Sequence, residues 1–127
     1  MTSDLDVVVH PDTAPEGDVV ARLRAELSHR VDTVVDTTDA SLEAARADKS
    51  GHRSSGRPLA VVHAASVEDV QRTMRIATAT RTPVVTRGAG TGLAGAAMGG
   101  PGEIVLSMRA MDAILEVRPD DLLAGVQ

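Results

Sequence analysis

The chain has 127 residues, a formal net charge of −5 and 43% hydrophobic residues, with no aromatic residue and no cysteine. Such a length supports one domain or part of one. An acidic chain without rings excludes both base stacking and the basic face of a nucleic-acid binder, and the lack of cysteine excludes disulfides, thiolate metal sites and cysteine nucleophiles.

The core must therefore be built from Val, Leu, Ile, Met and 19 alanines. Before the apolar run Val7–Val9 the chain carries Asp4 and Asp6 and no basic stretch, unlike a secretion signal. No apolar run approaches the roughly 18 residues of a membrane span, so a cytoplasmic location and no transmembrane segment are expected.

From Asp18 to Arg30 the residues Val19, Val20, Leu23 and Leu27 recur at helical spacing and predict an amphipathic helix whose solvated face carries Arg22, Arg24 and Arg30. Thr33–Val35 reads as an edge strand, and residues 37–47 as a short helix capped by Thr38 or Asp39. Residues 48–57, rich in Gly and Ser, read as a surface loop. Leu59–His63, bounded by Pro58, is an apolar run too short for a helix and predicts a buried strand. Ser66 with Asp69 three residues on forms a capping-box variant, opening a helix to Thr80 with Val67, Val70, Met74 and Ala77 on its buried face and Arg72 and Arg75 opposite.

Residues 83–86 predict a strand, and residues 87–102 hold seven of the eleven glycines. Strands at 103–107, 114–117 and from Leu122 onward follow. The pattern is α+β, a small mixed sheet flanked by helices, whose strand–helix–strand unit should cross over right-handed. The apolar stretch 122–127 reads as a strand cut in progress, which predicts a fragment of a longer polypeptide.

The run Arg87-Gly-Ala-Gly-Thr-Gly-Leu93 carries the chemical signal. Glycines at 88, 90 and 92 remove alternate Cβ atoms, so the backbone can turn tightly and aim several N–H groups into one concavity that suits an anion, phosphate above all. Arg87 is the one formal charge between Pro83 and Gly102, and the Thr91 hydroxyl adds a donor. A plain flexible turn is the alternative. Gly90, Gly92 and Gly95 match the G-x-G-x-x-G spacing of dinucleotide sites, but Gly99-Gly100-Pro101-Gly102 leaves no room for the helix that such a site needs. No Gly-Lys-Ser/Thr follows, so a P-loop is excluded.

With Val105-Leu-Ser107, Met111 and Ile114-Leu-Glu-Val117 after the loop, residues 31–127 resemble the start of an FAD-linked oxidase. The branch is that of the FAD-linked glycolate oxidase and D-lactate dehydrogenase flavoproteins in the vanillyl-alcohol oxidase superfamily. The resemblance implies the N-terminal part of a PCMH-type FAD-binding domain, with a helical segment and loop over 1–57 and the first part of the FAD domain over 58–127. It implies FAD as cofactor, with Arg87, Gly88, Ala89, Gly90, Thr91, Gly92 and Leu93 around the pyrophosphate. The implied activity is oxidation of a 2-hydroxy acid such as glycolate or D-lactate, with electrons passed to an acceptor protein, another subunit, a quinone or oxygen. The family usually has proline at the positions of Ala64 and Thr86 and a tyrosine near Ala45, ahead of the aspartate matching Asp48. Losing the prolines predicts looser strand ends. The alternative to an enzyme is a truncated nucleotide-binding or interaction module that needs a partner chain.

The four histidines, His10, His29, His52 and His63, lack metal-ligand spacing. His63 either faces the flavin or is satisfied at its strand end. Without a G-x-S-x-G elbow, Ser54, Ser55 and Ser66 read as loop and cap residues. Asp120 and Asp121 read as turn residues, not an acid/base pair. Nothing marks a catalytic residue.

Overall fold

The computed structural model describes residues 15–28 and 34–127. Over them the chain runs α1 (Glu16–Leu27), β1 (Val34–Asp36), α2 (Asp39–Ala44), β2 (Ala60–His63), α3 (Val67–Thr80), β3 (Val84–Arg87), β4 (Ile104–Ser107), β5 (Ile114–Arg118), a 3₁₀ turn (Pro119–Asp121) and β6 (Leu123–Val126). The α+β reading holds. The readings of Met1–His10, of Arg30 as a helix end and of Thr33 as a strand start lie outside the described residues.

Four strands form one sheet in the order β1-β2-β4-β3. β2, β4 and β3 are parallel, and β1 is antiparallel to β2. β4 takes the centre because Ile104, Val105, Leu106 and Ser107 are all buried, and a parallel strand covered on both faces needs a continuous apolar run. The strand period of two splits the core. Ala60, Val62, Ile104 and Leu106 face α1 (Val19, Leu23, Leu27) and α3 (Ile76, Ala77), while Val61 and Val105 face Ala45 and Leu42 beside α2.

The cap of α3 forms as expected. Asp69 N–H donates to Ser66 Oγ at 3.2 Å, and Asp69 Oδ2 accepts from the Ala65 amide at 3.0 Å. The buried face matches the expected one only in part: Ala77 is buried and Val70 packs against the core. Val67 and Met74 are 64% and 43% exposed, whereas Asp69, Thr73, Ile76, Ala77 and Thr80 are buried. The polar members of that face carry their own partners, which lowers the cost of burying them: Thr73 Oγ1 donates to Asp69 O and Thr80 Oγ1 to Ile76 O, each at 2.8 Å.

Two loop expectations change as well. α2 stops at Ala44, short of the expected residue 47, because the chain folds back on itself: Ala47 bridges to Arg53 and the Ser54 amide donates to Arg46 O at 2.9 Å. At the position of Ala64 the lost proline does not loosen the strand end. The Ala64 N–H donates to Ser107 O at 3.0 Å, a bond proline cannot make, and this carries the β2–β4 ladder one residue further.

β5 and β6 form a separate antiparallel ribbon with a bulge between Ile114 and Glu116. The bulge puts Ile114 opposite Val126 and Val117 opposite Ala124 on one face. Ile114, Val117 and Val126 are more than 60% exposed.

Candidate functional site

The three parallel strands end together. His63, Ser107 and Arg87 stand side by side in register at the carboxyl ends of β2, β4 and β3. That edge is where open parallel sheets present ligand crevices. A cleft of about 210 Å³ opens there, lined by His63, Ser107, Arg87, Gly88, Ala89 and Arg109, with Ser41 on α2 and Ala45 just after it closing its far wall. Sites that enclose a whole drug-sized ligand run to roughly 300–1,000 Å³, so this cleft suits one polar part of a larger molecule. A wider groove of about 400 Å³ lies between α1 and α3, lined by Arg22, Glu26 and Arg72, but it is remote from the glycine loop, and the Arg72–Glu26 ion pair ties the two helices together across it.

The structure divides the seven residues expected around a pyrophosphate. Arg87, Gly88 and Ala89 line the cleft. Gly90 is buried behind them with φ +71°, and Thr91, Gly92 and Leu93 are exposed on the outer part of the loop. From Leu93 to Ala97 the chain makes bends and a turn, not a helix, as the sequence requires. A Cβ added at Gly88 would meet no atom within 4 Å, so its open side is free for a ligand to approach the backbone.

Arg87 is committed to the protein. Its Nη1 donates to the carbonyl oxygens of Ala47 and Ala97, each at 2.8 Å, so the guanidinium clasps the loop. Residues 45–54 brace the loop from below. The Gly99 amide donates to Ala45 O at 2.9 Å, the Lys49 amide to Gly92 O at 3.1 Å, and Ser54 Oγ to Gly99 O at 2.6 Å. Asp48 Oδ1 accepts from the Ser50 amide at 2.9 Å. The Ser50 hydroxyl and amide, followed by the Ala97 and Gly95 amides, hold the Asp48 carboxyl below its ordinary range against the opposing effect of burial.

The brace is itself pinned by Glu43, which takes guanidinium contacts from Arg57, Arg53 and Arg46 and has its carboxyl lowered to about 2 by them. On the far wall Ser41 Oγ donates to Asp36 Oδ2 at 2.5 Å, and this hydroxyl with the Thr38 amide holds the Asp36 carboxyl below its usual value. His63 Nε2 stands 3.8 Å from Asp36 Oδ2. The histidine thus lines the cleft and has a carboxylate neighbour.

Sequence reasoning did not assign Ser41, Ser107 or Arg109 to the site. Their one signal was position: Ser107 ends the central strand, and Arg109 follows within two residues of it. Among the described residues no group of three or more His, Asp or Glu side chains could hold a metal ion, and no helix is long and apolar enough to cross a membrane.

A family model described as an FAD binding domain matches residues 58–127. Glycolate oxidase subunit GlcD of Escherichia coli strain K12 is 41% identical over 71 residues, which is 56% of this chain and 14% of that protein. GlcD of Bacillus subtilis strain 168 is 36% identical over 70 residues, covering 55% of this chain and 15% of the relative. D-2-hydroxyglutarate dehydrogenase of Xanthomonas citri pv. viticola is 40% identical over 70 residues, with the same 55% and 15% coverage. The chain thus spans about one seventh of the length of these curated relatives. Among solved structures, an alkyldihydroxyacetonephosphate synthase superposes with a TM-score of 0.68 at 20% identity, over 91% of this chain and 25% of that one. A substrate-bound p-cresol methylhydroxylase superposes with a TM-score of 0.60 at 24% identity, over 82% and 20%. These likenesses show a shared fold.

Proposed function

Since the chain belongs to the FAD binding domain family, with FAD as its cofactor and the fold of the vanillyl-alcohol oxidase superfamily, we propose that it is the pyrophosphate-cradling part of a flavin oxidoreductase that oxidises a 2-hydroxy acid such as glycolate or D-lactate. The observation that carries this reading is the glycine loop at the carboxyl edge of the parallel strands, with the open side of Gly88 on a cleft too small for a whole dinucleotide.

FAD, when bound, supplies the redox chemistry, and the protein's part is binding, orientation and electrostatics. Here the N–H groups of Gly88 to Leu93 form the concavity for the pyrophosphate. Arg87 fixes the loop and, with Arg109, sets positive charge beside it; the Thr91 hydroxyl stands ready to donate from the loop's outer part. The hydroxy-acid class is supported by the names of the GlcD and D-2-hydroxyglutarate dehydrogenase relatives. Transfer of electrons to an acceptor protein or subunit and a cytoplasmic location complete the proposal.

The test is a flavin titration of the natural full-length polypeptide. Bound flavin with visible absorbance, and reduction on adding a 2-hydroxy acid, is expected. A colourless protein that does not respond to FAD would overturn the reading.

One observation favours a second reading, a module that works only with a partner chain. The exposed apolar face of the β5–β6 ribbon leaves Ile114, Val117 and Val126 uncovered. The intact mass of the native polypeptide decides: several hundred residues with flavin supports the oxidoreductase, and 13.2 kDa supports the module.

A further inference from the structure

Resting on the cofactor-loop reading above, we propose that Asp48 is the positioning residue of that loop: its buried carboxylate, set beneath Gly92–Ala97, fixes the loop's second half and so holds the amides of Gly88–Gly92 toward the cofactor.

Three observations carry this. Asp48 lies below the loop, with a Cβ built on Gly92 falling 4.0 Å from Asp48 Oδ2. Oδ2 is buried among the described residues without an aligned hydrogen bond, while Oδ1 is fixed by the Ser50 amide at 2.9 Å. The residues on either side of Asp48 are bonded to the loop through their own backbone. Ala47 O accepts from Arg87 Nη1 at 2.8 Å, and the Lys49 amide donates to Gly92 O at 3.1 Å.

A buried carboxylate is costly unless donors surround it. Here the Ser50 amide donates to Oδ1 at 2.9 Å, and the Ser50 hydroxyl and amide, with the nearby Ala97 and Gly95 amides, hold the carboxyl below its ordinary range. A carboxylate so near an anion site would otherwise oppose phosphate. Asp48 does not line the cleft, so its charge acts on the backbone of the loop and not directly on a ligand there.

Asp48→Ala and Asp48→Asn in the natural full-length polypeptide separate positioning from general stability, with Gly90→Val as a control on the loop itself. FAD dissociation constants from flavin fluorescence titration and thermal midpoints are measured for each. The expected result is at least tenfold weaker FAD binding for Asp48→Ala. Asp48→Asn, which keeps an acceptor for the Ser50 amide, recovers most of that loss, and both midpoints stay within a few degrees of wild type. Wild-type FAD affinity in Asp48→Ala, with Gly90→Val impaired, overturns the role of Asp48 alone. Equal losses in Ala and Asn accompanied by a large fall in midpoint also overturn it, because Asp48 then serves the fold at large. Wild-type affinity in Gly90→Val defeats the loop reading itself.

Discussion

The guanidinium of Arg87 occupies the space in which a side chain at Gly90 would begin: a Cβ built on Gly90 falls 2.6 Å from Arg87 Cζ. Gly90 also has φ +71°, in the left-handed region that L side chains rarely adopt. Two separate physical demands thus meet at one glycine, a backbone conformation and a close approach. The second exists only because Arg87 folds under the loop to reach Ala47 and Ala97.

Gly90→Val is therefore expected to abolish FAD binding, at a cost in stability of about 1–3 kcal/mol from backbone strain alone. Equilibrium unfolding in urea and a flavin titration check the two parts. Gly90→Ala should cost less in an Arg87→Ala background than in the wild type, since the close approach is then relieved while the strain persists. A double-mutant cycle that shows no coupling would remove Arg87 from beneath the loop.

Arg87→Lys retains the charge but not the fixed planar Nη1 whose two hydrogens go to the carbonyl oxygens of Ala47 and Ala97. A loss of about 1–3 kcal/mol is expected, the range for a charge-assisted hydrogen bond removed from a partly buried carbonyl. Hydrogen exchange should locate the loosening at residues 88–99, and protection there equal to wild type would contradict the clasp.

Glu43 makes an acid-side contribution to stability. Its folded carboxyl titrates at about 2, below its ordinary 4.5, because Arg57, Arg53 and Arg46 favour the ionised form. The stabilisation is whole above pH 4.5 and is lost as pH falls towards 2. Glu43→Gln should lower stability at neutral pH and flatten the urea-midpoint profile across that window. Added salt should shrink the difference, since the cluster is partly exposed.

Ser66→Ala removes the acceptor for the Asp69 amide at the start of α3 and should destabilise by about 1 kcal/mol. Asp69→Ala leaves that cap bond in place but should cost more, because it strips the Ala65 amide of its partner and empties a fully buried side-chain site. Thermal midpoints of both variants test that order.

The strands and helices were legible because their signals are local. Leu59–His63 and residues 103–107 are apolar runs of strand length, and Ser66 with Asp69 marks a helix start whatever surrounds it. The buried face of α3 was legible only in part. Periodicity ranks residues by apolarity and so favours Val67 and Met74, whereas the helix turned Asp69, Thr73 and Thr80 inward once their own hydrogen bonds had lowered the cost of burial. The glycine loop was legible as a tight, non-helical turn after a strand, since alternating glycines have a direct backbone meaning.

What the sequence alone determined about this protein is the part that lies within a few residues: element types, the cap of α3, the α+β class and the glycine-rich loop that follows β3. Only the tertiary structure decided that β4, the last strand of the sheet in the chain, sits at its centre, and that His63, Ser107 and Arg87 end in one row. It also decided that residues 45–54 brace a loop some 40 residues away in sequence. The physical reason is that sheet order and loop bracing are set by contacts between distant segments, where burial on both faces and pairing of charges choose among arrangements that local propensity leaves equal.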